Sequence, residues 1–101
     1  MAAGQKAYNA GKHLEAQQFF RMAHHAAASF GEGDPRFTES LLWQARTAYK
    51  LGQFQVAKSA YEWVLYWRKS HYGANAPQTR AIEEEIRKVK KALGLDTEDK
   101  D

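Results

Sequence analysis

A ten-residue pattern returns 41 positions later in this chain, and that recurrence constrains the fold more than any other feature. Ala7-Tyr8-Asn9-Ala10-Gly11-Lys12-His13-Leu14-Glu15-Ala16 aligns with Ala48-Tyr49-Lys50-Leu51-Gly52-Gln53-Phe54-Gln55-Val56-Ala57. Phe20 falls on Tyr61 at the same offset, while Phe30-Gly31 falls on Tyr72-Gly73 and Pro35 on Pro77 at an offset of 42. A period of this length marks a fold made by stacking one supersecondary unit on the next. Two units and the start of a third fill the 101 residues.

Each unit reads as a helical hairpin. The Tyr-x-x-Gly step ends a first helix, because glycine takes the left-handed position after a helix without a Cβ penalty. The second helix of unit one has apolar residues at Ala16, Phe19, Phe20, Ala23, Ala26, Ala27 and Phe30, a spacing of three and four. Unit two repeats this with Ala57, Ala60, Tyr61, Val64, Leu65 and Trp67. Pro35 and Pro77 then open the next helices, where a missing N–H costs nothing. The pattern predicts helices over 2–10, 12–31, 35–51, 53–72 and 77–93. In the last of these, Ile82, Ile86, Val89 and Leu93 form one apolar stripe. Glu83 with Arg87 and Glu84 with Lys88 are expected i,i+4 ion pairs on its solvated side. Gly94-Leu95 reads as its C-cap, and 96–101 as a disordered acidic tail.

Composition removes several function classes. The absence of cysteine excludes disulfide scaffolds, thiolate zinc sites and cysteine nucleophiles. No stretch approaches the length of a membrane span. Met1 to Lys6 lacks the apolar core of a signal peptide, so a soluble, cytoplasmic protein is the expectation. The tail carries four acids against one base. Residues 1–95 therefore hold 14 basic and 8 acidic residues, a net +6. A basic body favours acidic partners, whether peptide or nucleic acid, and it is equally ordinary solubility charge.

The residues that carry a family resemblance are Gly33-Asp34-Pro35, Ser40-Leu41-Leu42-Trp43-Gln44-Ala45 and Ala48-Tyr49-Lys50-Leu51-Gly52-Gln53-Phe54, followed by Ala57, Tyr61 and Val64-Leu65. Together they resemble the tetratricopeptide repeats, in the long form of about 42 residues found in kinesin light chains. The resemblance covers residues 4–93. It implies an all-α fold, a tetratricopeptide-type α-α superhelix of two helical hairpins plus a C-terminal capping helix. The domain would span 1–95, with repeat 1 about 1–34, repeat 2 about 35–76 and the cap about 77–93. His24 stands where leucine is usual.

In such repeats the first helices of successive units line a concave groove for an extended peptide or a partner helix. Carried over by position, the groove holds Gln5, Tyr8 and Asn9 from unit one. Unit two supplies Glu39, Leu42, Arg46, Tyr49 and Lys50, and the capping helix adds Lys88 and Lys91. The resemblance thus implies a non-catalytic protein–protein interaction module, an adaptor or scaffold whose ligand is an acidic peptide with an aromatic or aliphatic anchor. Arg46 replaces the asparagine that chaperone-binding members use for terminal carboxylates. Tyr8 and Tyr49 have a second reading, as residues packed between helices.

The helix over 53–72 holds more aromatic residues than one core face needs. Trp63 and Tyr66, three apart, stand where the family shows charged or small residues, and they mark a second interface through which two copies could form a homodimer. The other reading is that the capping helix covers them with Ile82, Ile86 and Val89.

No chemistry is indicated. His24 and His25 are adjacent and point about 100° apart, and His13, His24 and His71 have no ligand spacing, so no metal site is expected. None of Ser29, Ser40, Ser59 and Ser70 sits in a nucleophile turn, and Gly31 and Gly33 lack the strand of a phosphate loop. The run Glu83-Glu84-Glu85 reads as a solvated helix start. No catalytic residue and no cofactor are expected. Arg87, Lys88, Lys90 and Lys91 leave nucleic acid as a weaker alternative partner, without a recognisable motif.

Overall fold

A computed structural model of the chain describes residues 2–95. Among them the protein is all-helical: α1 Ala2–Asn9, α2 His13–Ala27, α3 Pro35–Lys50, α4 Phe54–Tyr72 and α5 Pro77–Ala92, with a 3-10 turn Ala28–Phe30 after α2. These bounds lie within a residue or so of the sequence expectation, except that the last turn of α2 tightens to the 3-10 form. The expected tail 96–101 lies outside the described residues.

Local chemistry explains the bounds. The Asp34 side chain caps α3 by accepting from the Arg36 N–H at 2.8 Å, and Pro35 and Pro77 occupy the first positions of α3 and α5. The Arg36 guanidinium holds the Asp34 carboxyl down at about 2. At the other ends, three helices close alike. Lys12 N–H reaches Ala7 O at 2.9 Å, Gln53 N–H reaches Ala48 O at 2.8 Å, and Leu95 N–H reaches Lys90 O at 2.8 Å. Each closure needs a left-handed residue in between, supplied by Gly11, Gly52 and Gly94 with φ of 82°, 79° and 75°.

Contacts across neighbouring helices fix their directions. His24 meets Ser40 and Phe37, while Phe20 meets Trp43 and Gln44, so α2 and α3 run antiparallel. Tyr49 meets Phe54 across the next turn, and Arg68 bonds Gln78 while Tyr61 bonds Glu85 further along. Helices adjacent in sequence are the main packing partners. The molecule is a slab of 42 × 30 × 19 Å. The odd helices share one side of it, joined by Tyr8 against Trp43 and by Arg46 bonded to Glu85.

The main core joins α3, α4 and α5 through Leu42, Ala45, Ala48, Ala57, Tyr61, Val64, Ile82, Ile86 and Val89. Alanines at 45, 48 and 57 let α3 and α4 approach closely. A second cluster holds Ala7, Ala16 and Phe20, with Tyr8 and Trp43 against it. Gly4 belongs to it in a different way. A Cβ there would lie 2.5 Å from the Phe20 ring, so the ring occupies the place of a side chain at position 4. Residues matched by the 41-residue offset have matched burial, with Ala16, Ala57 and Phe20 fully buried and Tyr61 nearly so.

Three sequence expectations change here. Leu42 is 2% exposed and joins the core, so it cannot line a groove. Phe19, Ala26 and Phe30 stay exposed, because the core-facing side of α2 narrows to Ala16, Phe20 and Ala27. Phe30 instead lies under the Arg36 guanidinium, 3.4 Å from its centroid. On α5, Arg87 pairs with Glu84 one turn before it, not with Glu83.

His24 is the polar residue in a largely apolar contact. Its ring sits 4.5 Å from that of Phe37, and Nδ1 lies 2.8 Å from Ser40 Oγ. Ser40 Oγ also lies within bonding distance of Phe37 O, and the direction of the His24–Ser40 bond follows the imidazole tautomer. Burial holds the His24 pKa below its ordinary 6.5. The unfolded chain therefore binds the proton more readily, and stability falls as pH drops through 6.5 toward the folded value. His24→Leu is expected to leave stability at pH 8 within about 1 kcal/mol and to flatten its decline between pH 7 and pH 5. Urea unfolding at both pH values checks this, and an unchanged slope in the variant would oppose it.

Candidate functional site

A pocket of about 240 Å³ opens on the side of the slab formed by the odd helices, lined by Tyr8 from α1, Arg46, Tyr49 and Lys50 from α3, Tyr61 from α4, and Glu85 and Lys88 from α5. The repeat explains the convergence. Tyr8 and Tyr49 stand one period apart on parallel helices, and α5 continues the row. Each lining residue of the odd helices sits in the C-terminal half of its helix, with Tyr8, Tyr49 and Lys50 in the last turns of α1 and α3.

Five of the ten expected groove residues meet here: Tyr8, Arg46, Tyr49, Lys50 and Lys88. The other five do not. Leu42 is core. Gln5, Asn9 and Lys91 lie outside the lining, the last two on exposed surface. Glu39 is exposed and accepts from Trp43 Nε1 at 3.2 Å.

At the floor lies a three-helix polar knot. Arg46 Nε and Nη2 donate to Glu85 Oε1 and Oε2 at 3.0 and 2.8 Å, and the Tyr61 hydroxyl donates to Oε1 at 2.8 Å. Burial alone would raise the Glu85 pKa, but the hydrogen bonds from Arg46 and Tyr61 outweigh it and hold the carboxyl below its ordinary range. The same bond to Glu85 raises Arg46 against the opposing effect of its own burial. Burial, followed by the neighbouring Glu85 charge, drives the Tyr61 hydroxyl up, so it remains a donor. Arg46 is therefore already satisfied by this chain, whereas the sequence reading offered it to a ligand.

Glu85 and Tyr61 were missed as site residues. Glu85 was grouped with Glu83 and Glu84 as solvated, yet it falls three residues after Ile82 and four before Val89. That spacing places it at the edge of the buried stripe. Tyr61 was assigned to the core by its ring, and its hydroxyl reaches the pocket all the same.

What the pocket offers a ligand is set by the charges left over. Arg46 and Glu85 cancel, leaving Lys50 and Lys88, neither of which has an ion-pair partner among the described residues. The lining thus carries a net +2, with two phenols, Tyr8 and Tyr49, as hydrogen-bonding and stacking surfaces. Tyr8 is held by edge contacts to His13 and Trp43, each 5.4 Å between centroids, and its burial raises its pKa. The volume suits one side chain and falls below the several hundred Å³ typical of small-molecule sites.

No family model, curated protein or solved structure matches the chain.

The second candidate surface lies elsewhere. Trp63 and Tyr66 are neighbours with ring centroids 6.0 Å apart, and Tyr66 is 66% exposed. α5 spends Ile82, Ile86 and Val89 on the main core and leaves Tyr66 uncovered. Trp63 Nε1 is shielded from solvent without a hydrogen-bond partner. The four histidines occupy separate settings, with His71 stacked on Trp67 at 3.9 Å, and the described residues bring together no metal-binding group of histidines and acids. No described helix is long and apolar enough to cross a membrane.

Proposed function

We propose that this chain is a two-hairpin tetratricopeptide-type array with a C-terminal capping helix, and that it works as an interaction module holding an acidic peptide. The observation that carries the reading is the row formed by Tyr8, Tyr49, Lys50 and Lys88 along the odd helices, over a self-neutralised Arg46–Glu85 floor. Lys50 and Lys88 would take the carboxylates of the peptide, and the phenols of Tyr8 and Tyr49 would flank an aliphatic or aromatic side chain seated between them. The matched burial of residues one period apart supports the array, as does the recurrence of one helix closure at Gly11, Gly52 and Gly94. Nothing in the pocket pairs a nucleophile with a base, so the site is read as one that holds and does not react.

A synthetic Glu-rich peptide carrying one leucine provides the test, with binding followed by calorimetry at low salt. Lys50→Glu combined with Lys88→Glu is expected to weaken it at least tenfold, since two attractions become two repulsions in a shallow site. Far-UV circular dichroism should be unchanged, because both lysines are exposed and have no ion-pair partner among the described residues. Full affinity in the double variant would remove the assignment.

A further inference from the structure

We propose that residues 96–101 of the chain itself dock in the Lys50–Lys88 pocket as an internal occupant, competing there with an external acidic peptide. The competition rests on the function proposed above, whereas the docking stands apart from it.

Direction carries the first step. α1, α3 and α5 run the same way, because each successive helix reverses, and the pocket lies toward their C-terminal ends. The chain therefore leaves α5 at the end nearest the pocket. Gly94, with φ of 75°, and the bond from Leu95 N–H to Lys90 O turn the chain back on the helix it has just left.

Reach is sufficient. Lys88 and Leu95 are seven residues apart, about 10 Å of helical rise. Residues 96–101 span up to about 20 Å when extended, enough for Asp99 to reach Lys88, which shares the pocket lining with Lys50. Lys91, one turn beyond Lys88 and exposed, lies along the way.

Charge supplies the attraction. The segment holds Asp96, Glu98, Asp99 and Asp101 against Lys100, a net −3 facing the net +2 of the lining. A short tether gives an effective concentration on the order of millimolar, so several carboxylates acting together with a dissociation constant of about 0.1–0.5 mM would keep the site mostly occupied. Screening should release it, since the Debye length shrinks to a few ångströms near 1 M salt.

The test compares the natural chain with the variant Asp96→Asn, Glu98→Gln, Asp99→Asn, Asp101→Asn, both 15N-labelled. At low salt the amide signals of Tyr8, Tyr49, Lys50 and Lys88 are expected to differ between the two, and to converge at high salt. The Glu-rich peptide should bind the neutralised chain about three- to tenfold more tightly. Differences confined to Lys90–Leu95 would overturn the docking, whether or not the peptide binds. Pocket shifts with no peptide binding to either chain would keep the docking and discard the peptide-binding function. Equal peptide affinity without pocket shifts would do the reverse.

Discussion

Ile82→Ala is expected to lower the stability of this protein by about 3 kcal/mol, near the middle of the range for emptying a buried isoleucine site. The side chain is fully buried, in one cluster with Leu42, Ala57, Tyr61 and Val64. In a domain of about 100 residues each kcal/mol moves the melting midpoint by roughly 4–8 °C, so the drop should exceed about 10 °C. The total stability of a chain this size is only about 5–15 kcal/mol, and the loss is a large share of it. Because α5 packs chiefly on α4 alone, hydrogen exchange should accelerate first in α5 and only then in the rest. Early loosening of α5 would remove Glu85 and Lys88 from the pocket, coupling this core residue to the proposed peptide binding. Leu14→Ala, at a side chain 67% exposed, is the comparison and should cost less than about 0.5 kcal/mol. Equal losses at the two positions would contradict the assignment of the core.

Much of this architecture could be read from spacing alone. All five expected helix starts lie within a residue of those observed, because a proline at a first turn or a glycine after a last turn acts locally. Ile82, Ile86 and Val89 declared the inner face of α5 in the same way. The site was less legible, and Glu85 shows why. Its neighbours Glu83 and Glu84 have the same chemistry, and only the arrival of Arg46 from α3 and Tyr61 from α4 turns one of three acids into a buried partner. Leu42 failed for a related reason. A position carried over from a longer array presumes where each helix face points, and here the α3 face bearing Leu42 is covered by the main core. Phe19 and Phe30 satisfied the helical period yet stayed exposed, since a period says which residues share a face and not whether anything covers it.

The Arg46–Glu85 pair yields the other large effect. Arg46→Leu removes both guanidinium bonds and leaves Glu85 with the Tyr61 hydroxyl alone. Breaking a fully buried pair costs about 3–5 kcal/mol, and here the side chains keep 29% and 23% of their exposure, so a loss of about 2 kcal/mol at pH 7 is expected. Arg46→Leu together with Glu85→Leu should recover to within about 1 kcal/mol of the natural chain, since no charge is then left without a partner. The pH dependence separates electrostatics from packing over the Trp43 ring, 5.0 Å away. In the natural chain the Glu85 pKa is depressed, so its contribution is complete above the ordinary carboxyl value near 4.5 and fades as pH falls through the lower folded value. Without Arg46, burial, already the largest single influence on Glu85, loses its main opponent and raises that pKa, so the variant gains stability as pH falls toward 4.5. The gap between the natural chain and Arg46→Leu should therefore narrow steadily from pH 7 to pH 4 in urea titrations. A gap constant over that range would mean that Arg46 stabilises through its contact with Trp43. Arg46→Glu would go further, setting two carboxylates against each other at the pocket floor and disturbing the fold before any ligand arrives.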